Sequence, residues 1–160
     1  MLLASVIPLL FLLISAAPAA AQTGSVTATM TCSPQTVRPG DTVSCVVTIT
    51  NNGSAQRVVM LTNVLSGGGL FPDTFVLLGN PSMNHEHRQA YGPYAVPLTP
   101  ASSTPFYVSV MPFQSRAACL NAFSTNLTNE VQIEDAVGGG RLTYVSAVFS
   151  VDCNAPPTGT

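Results

Sequence analysis

The sequence predicts an all-β protein: an antiparallel β-sandwich of seven to eight short strands, tied by disulfides. Three observations carry that prediction. Short stretches alternate apolar and polar residues, as a half-buried strand must. Pro, Gly and Asn separate these stretches at close intervals. Thr and Val abound while Lys is absent, and the 160 residues include 13 Pro and 12 Gly. That composition suits strands and turns better than helices.

The strands follow in order. Val26, Ala28, Met30 and Cys32 share one face of the first, with Thr27, Thr29 and Thr31 on the other. Ser33-Pro34 and Pro39-Gly40-Asp41 mark the next turn, where Gly40 lets the chain reverse and the Asp41 carboxylate caps it. Thr42 to Thr50 then points Val43, Cys45, Val47 and Ile49 inward. Asn51-Asn52-Gly53-Ser54 reads as a turn closing a hairpin. Val58 to Leu65 is a third strand, apolar enough to be covered on both faces. Ser66 to Gly69 breaks the chain, and Thr74 to Leu78 is a short strand. Asn80 to Gln89 reads as polar loop. Tyr91 to Leu98, interrupted by Pro93 and Pro97, is an edge strand. Pro105 to Met111 resumes alternation with Phe106, Val108 and Val110 on one face. Ala117 to Phe123 is a helical turn. Thr128 to Glu134 points Val131 and Ile133 inward. Gly138-Gly139-Gly140 turns the chain into Arg141 to Val151, with Val145, Ala147, Phe149 and Val151 inward.

Residues 1–21 stand apart. Leu2 to Ile14 is almost entirely apolar, and Ala19-Ala20-Ala21 supplies the small-x-small pattern of a signal peptidase site. Cleavage after Ala21 leaves Gln22 as the new N-terminus. No Lys or Arg precedes the apolar run, and an uncleaved anchor is the competing expectation, since about 20 apolar residues span a bilayer. Pro8, Pro18 and the alanine-rich end favour cleavage. The expected order is a signal peptide over 1–21, one sandwich domain over 22–153 and a disordered tail over 154–160. The formal charge of −2 gives no electrostatic case for nucleic acid or an anionic membrane. No membrane span is expected once the signal is removed.

Cys32, Cys45, Cys119 and Cys153 all follow the export segment. An even number in an exported chain reads as two disulfides. Zinc is the competing use, but zinc sites bring closely spaced ligand pairs, and these four cysteines form none.

Cys32 to Ser54, CSPQTVRPGDTVSCVVTITNNGS, resembles the opening of Ig-like repeat modules in bacterial surface proteins. These include the "conserved repeat" domain of unknown function and the cell-adhesion-related domain found in bacteria. Such modules open on a pattern like S-P-x-x-V-x-x-G-D-x-V-x-Y-x-V-T-V-T-N-x-G. PLTPASSTPFYVSV resembles the segment before their penultimate strands, and TNEVQIED resembles their Asn-containing strand F. Phe71 to Gly92 matches nothing in that pattern. The resemblance implies an Ig-like sandwich, secreted or held in the cell envelope, with a structural or adhesive role toward a protein or polysaccharide partner.

Four cysteines allow three pairings. In a sandwich of this topology all four gather at one end, so topology alone does not choose. Cys32 and Cys45 face inward on neighbouring strands and flank one turn, and related modules often carry C-S-P followed by a Cys in the next strand. These features favour Cys32–Cys45, with Cys119–Cys153 by elimination. Closing such a loop is worth roughly 3 kcal/mol.

No catalytic residue and no cofactor is expected. Serines are plentiful, but neither His lies in a nucleophile motif and no G-x-S-x-G occurs. Gly67-Gly68-Gly69 and Gly138-Gly139-Gly140 lack the Lys and helix of a phosphate loop. His85-Glu86-His87, if extended, points two imidazoles the same way toward a transition metal, with Asp73 as a third ligand. A solvated polar loop is the plainer expectation. Glu130, Glu134 and Asp135 offer carboxylates for a weak calcium site, against the plainer solvated strand face. Tyr91 and Tyr94 pack in the core or, if partly exposed, form a contact patch. The chain is expected to be an exported non-catalytic module with a structural or adhesive role. The alternative is a secreted binding protein or protease inhibitor acting through the irregular 71–92 loop.

Overall fold

The computed structural model describes residues 25–67, 75–76, 83–85, 88–122 and 124–156. In chain order these form β1 (Val26–Ser33), β2 (Thr36–Val37), β3 (Val43–Asn51), β4 (Arg57–Gly67), β5 (Phe75–Val76) and β6 (Met83–His85). There follow β7 (Arg88–Leu98), β8 (Ser102–Met111), α1 (Arg116–Leu120), β9 (Asn126–Asp135) and β10 (Arg141–Val151). Seven of these strands run 8 to 11 residues, while β2, β5 and β6 have two or three.

The strands build two sheets, ordered β1-β3-β8-β5 and β2-β10-β9-β4-β7-β6. Pairing is antiparallel except between β2 and β10, which run parallel. This is an Ig-like sandwich. The alternation in the sequence becomes its two-layer core. β3 buries Val43, Cys45, Val47 and Ile49 and turns Ser44, Thr48 and Thr50 away. β9 buries Leu127, Val131 and Ile133. Each such side chain contributes about 1.5–3 kcal/mol on leaving water.

The core falls into two clusters. One, at the disulfide end, gathers Cys45, Leu65, Tyr91, Phe113 and Phe149. The other is aliphatic, with Val26, Ile49, Leu61, Leu98 and Ile133. Met30 and Phe106 pack against both.

Turn chemistry follows the sequence around Gly40. Its φ is +90°, and the Arg38 N–H donates to the Asp41 carboxylate at 3.1 Å. Pro93, Pro97 and Pro105 lie on stretches of β7 and β8 whose outer side, among the described residues, has no partner strand. A missing N–H is tolerated there.

The structure corrects the sequence in two places. Asn52-Gly53 closes no hairpin. β3 and β4 belong to different sheets, and the segment between them crosses from one layer to the other. Asn80 to Gln89 is not all loop, because β6 pairs with the start of β7 through Met83↔Ala90, Asn84↔Gln89 and His85↔Arg88. Pairing at an outer edge is carried by backbone bonds, so it needs no apolar alternation to announce it.

The pairing of β4 with β7 also contains a bulge. Leu61 faces Tyr94 and Asn63 faces Tyr91, so two steps on β4 match three on β7. Gly92 sits in the extra step with φ +110°, and a Cβ there would stand 2.6 Å from the Leu61 carbonyl oxygen.

Candidate functional site

Cys32 and Cys45 oppose one another on β1 and β3 and form one disulfide; Cys119 of α1 and Cys153 beyond β10 form the other. Among the described residues no cysteine is free. Both bridges belong to the same core cluster, so sulfur closes one end of the sandwich. α1 is held there by two further hydrogen bonds and by burial. Ser115 caps it by accepting from the Ala118 N–H at 3.1 Å, the Arg116 guanidinium donates to the Cys153 carbonyl at 3.1 Å, and Cys119 itself is buried.

The opposite end is closed by an amide that the sequence does not single out. Asn51 is fully buried at the end of β3. Its Nδ2 donates to the Ala55 carbonyl at 2.8 Å and to the Thr99 carbonyl at 3.2 Å, while its Oδ1 accepts from the Gly53 N–H at 3.0 Å. The Ala101 N–H adds a bond to the Gly53 carbonyl at 3.1 Å. One side chain therefore ties together the β3–β4 and β7–β8 crossings.

A polar belt lies between the two core clusters. Asn63 and Asn129 are fully buried on the inward faces of β4 and β9, and none of their side-chain N and O atoms has a hydrogen-bond partner. Register places Asn63 between Leu61 and Leu65, and Asn129 between Leu127 and Val131. Beside them the Tyr91 hydroxyl donates to Gln89 Oε1 at 2.7 Å, inside the core. Burial raises the Tyr91 phenol above its ordinary value of 10.0, and Tyr94 adds to the rise.

Tyr91 is 2% exposed, so it forms no surface patch. The bulge explains why: its extra residue turns both Tyr91 and Tyr94 inward although they are three apart. Tyr94 is half-buried and packs against Phe106 with ring centroids 5.9 Å apart. Gln89 and Ala90 are buried with Tyr91, which removes the end of the 71–92 segment from any presented loop.

The His85 backbone lies in β6. The proposed His85–His87 pair, Asp73, the 1–21 segment and the end of the tail lie outside the described residues. Among the described residues no cluster of His, Cys, Asp and Glu could hold a metal ion. Glu130 accepts from Gln132 Nε2 at 2.6 Å, and Asp135 pairs with Arg57 at 3.5 Å. These carboxylates have protein partners on a solvated strand face. No helix among the described residues is long and apolar enough to cross a membrane.

The two outer faces differ in charge. Arg57, Arg88, Glu130, Glu134, Asp135 and Arg141 all lie on strands of the six-stranded sheet, while β1, β3, β5 and β8 contain no charged residue.

No family model matches the sequence, and no curated protein matches it. Solved structures do match the fold. A FixG-related protein from Vibrio parahaemolyticus aligns with 80% of this chain and 97% of its own at 11% identity and a TM-score of 0.50. The E. coli alpha-2-macroglobulin aligns with 80% of this chain at 17% identity and a TM-score of 0.54, over 7% of its own length. A CARDB domain from a Pyrococcus furiosus protein covers 79% of this chain and 87% of its own at 14% identity and a TM-score of 0.47. At these identities the first two likenesses establish the sandwich architecture and nothing about activity.

Proposed function

We propose that this chain is an exported, non-catalytic Ig-like module with a structural or adhesive role at the cell surface. The observation that carries the reading is the closure of one end of the sandwich by two disulfides. Disulfides form and persist in oxidising compartments, which agrees with the export signal expected over residues 1–21. Two of the polar groups in the core serve the scaffold. Tyr91 is bonded to Gln89 inside the protein, and Asn51 is used up in joining two crossings.

The test is expression of the full chain in a bacterial host, followed by fractionation, N-terminal sequencing and alkylation of free thiols. The expected product begins at Gln22, lies outside the cytoplasm and resists alkylation at all four cysteines. An unprocessed cytoplasmic chain with four reactive thiols would overturn the proposal.

A further inference from the structure

The outer face of β1, β3 and β8 is an ordered array of hydroxyl groups. Register sets its residues in four rows of three: Thr27, Thr50, Ser103; Thr29, Thr48, Pro105; Thr31, Val46, Tyr107; Ser33, Ser44, Ser109. Every position but Val46 and Pro105 carries a hydroxyl. Strand geometry spaces the array at about 4.8 Å between strands and about 6.8 Å along them. Cross-strand bonds hold the first row in place. Thr50 Oγ1 and Ser103 Oγ lie 2.8 Å apart, and Asn52 Nδ2 donates to Thr27 Oγ1 at 3.1 Å. The Tyr107 ring stands on this face at 66% exposure.

A solvated sheet face normally mixes Lys, Glu and Arg among its polar residues, for solubility and to deter edge pairing. This face has none, so it offers no ion pair to an anionic polymer, a basic protein or a cation. It is also a poor protein interface, because buried interface centres are depleted in Ser and enriched in apolar and aromatic side chains. What it does offer is rows of groups that both donate and accept, around one exposed ring.

We propose that this face binds a neutral polysaccharide. Polymer hydroxyls pair with the Thr and Ser rows, and the C–H face of a sugar ring lies on Tyr107. The inference names the partner of the adhesive role proposed above and rests on that reading for its biological place, though not for the binding itself.

The test uses the purified, oxidised chain in co-sedimentation with microcrystalline cellulose and in affinity electrophoresis through amylopectin. Alginate and heparin serve as charged controls. The expected result is retention by a neutral polymer that rising salt does not weaken. Tyr107→Ala should weaken it roughly tenfold, as loss of a central aromatic contact does. Thr48→Glu, in the middle of the array, should weaken it as well. Tyr144→Ala, on the other sheet at 58% exposure, should leave it unchanged. Unchanged melting temperatures show that the variants fold. The proposal is overturned by no retention on either neutral polymer, by retention sensitive to Tyr144→Ala but not to Tyr107→Ala, or by salt-sensitive binding to alginate or heparin alone. It is equally overturned if sedimentation equilibrium finds a dimer that Tyr107→Ala dissolves. Adhesion to cells without polysaccharide binding sinks this inference and spares the adhesive reading; binding by a chain that is never exported does the reverse.

Discussion

The two ends of the sandwich are closed by different chemistry. At one end, two disulfides join β1 to β3 and α1 to the segment after β10. At the other, one buried amide, Asn51, holds two inter-sheet crossings together. The covalent closure acts largely by restricting the unfolded chain and persists through local opening. The amide acts only in the folded state and only while water is kept out. The disulfide end should therefore be the last part to open, and the Asn51 end the first. Amide hydrogen exchange gives the ordering directly.

Breaking the sulfur end should have the largest effect. Cys119→Ala with Cys153→Ala opens a loop of 34 residues and should cost about 4 kcal/mol. Cys32→Ala with Cys45→Ala opens one of 13 residues and should cost about 3 kcal/mol. Urea denaturation measures both, and the order should follow loop length. Asn51→Ala should cost about 2–3 kcal/mol, because it strands the Gly53 N–H and two carbonyls. Exchange at Gly53 and Ala101 should accelerate, while amides beside Cys45 stay protected. Equal acceleration at both ends would remove the distinction.

Gly92→Ala attacks the bulge between the two core clusters. A methyl group there meets the Leu61 carbonyl at positive φ, and a loss of about 2 kcal/mol is expected in thermal unfolding. Asn63→Leu should act in the opposite sense. It replaces an unpartnered buried amide with an apolar side chain and joins the two clusters, raising stability by about 1 kcal/mol.

The smallest effect is on alkaline stability. The raised Tyr91 value means that the folded state keeps its proton where the unfolded chain gives it up. Its contribution is full below pH 10.0, the unfolded value, and is lost as pH rises through the folded one. Tyr91→Phe should flatten that part of the pH profile. An unchanged profile would remove Tyr91 as its source.

Strands were readable in the sequence wherever one face is buried and the other wet. β1, β3, β8, β9 and β10 alternate cleanly because each sits on one side of the core. The cysteines declared their end of the molecule. Asn51 did not declare the other, because Asn-Asn-Gly is a local turn signal and the bond to Thr99 spans 48 residues. Asn129 shares the parity of Val131 and Ile133, so alternation already turns it inward, while Asn63 lies in a run too apolar to assign a face. What no local pattern signals is that both amides are buried without a partner. Core packing, one of the two readings open for Tyr91 and Tyr94, is what the structure has, and the bulge is what no sequence pattern announces. A strict two-residue period puts them on opposite faces, and the bulge at Gly92 puts both inside.

Sulfur also decides how the molecule answers a pull on its termini. Tension entering at Cys32 passes directly to Cys45, and tension reaching Cys119 passes directly to Cys153, so the turn after β1 and the whole β9–β10 hairpin are bypassed. Between the two bridges only the stretch from Cys45 to Cys119 can pay out as slack, and a tether built from this chain would stop short with the β9–β10 hairpin still outside the load path.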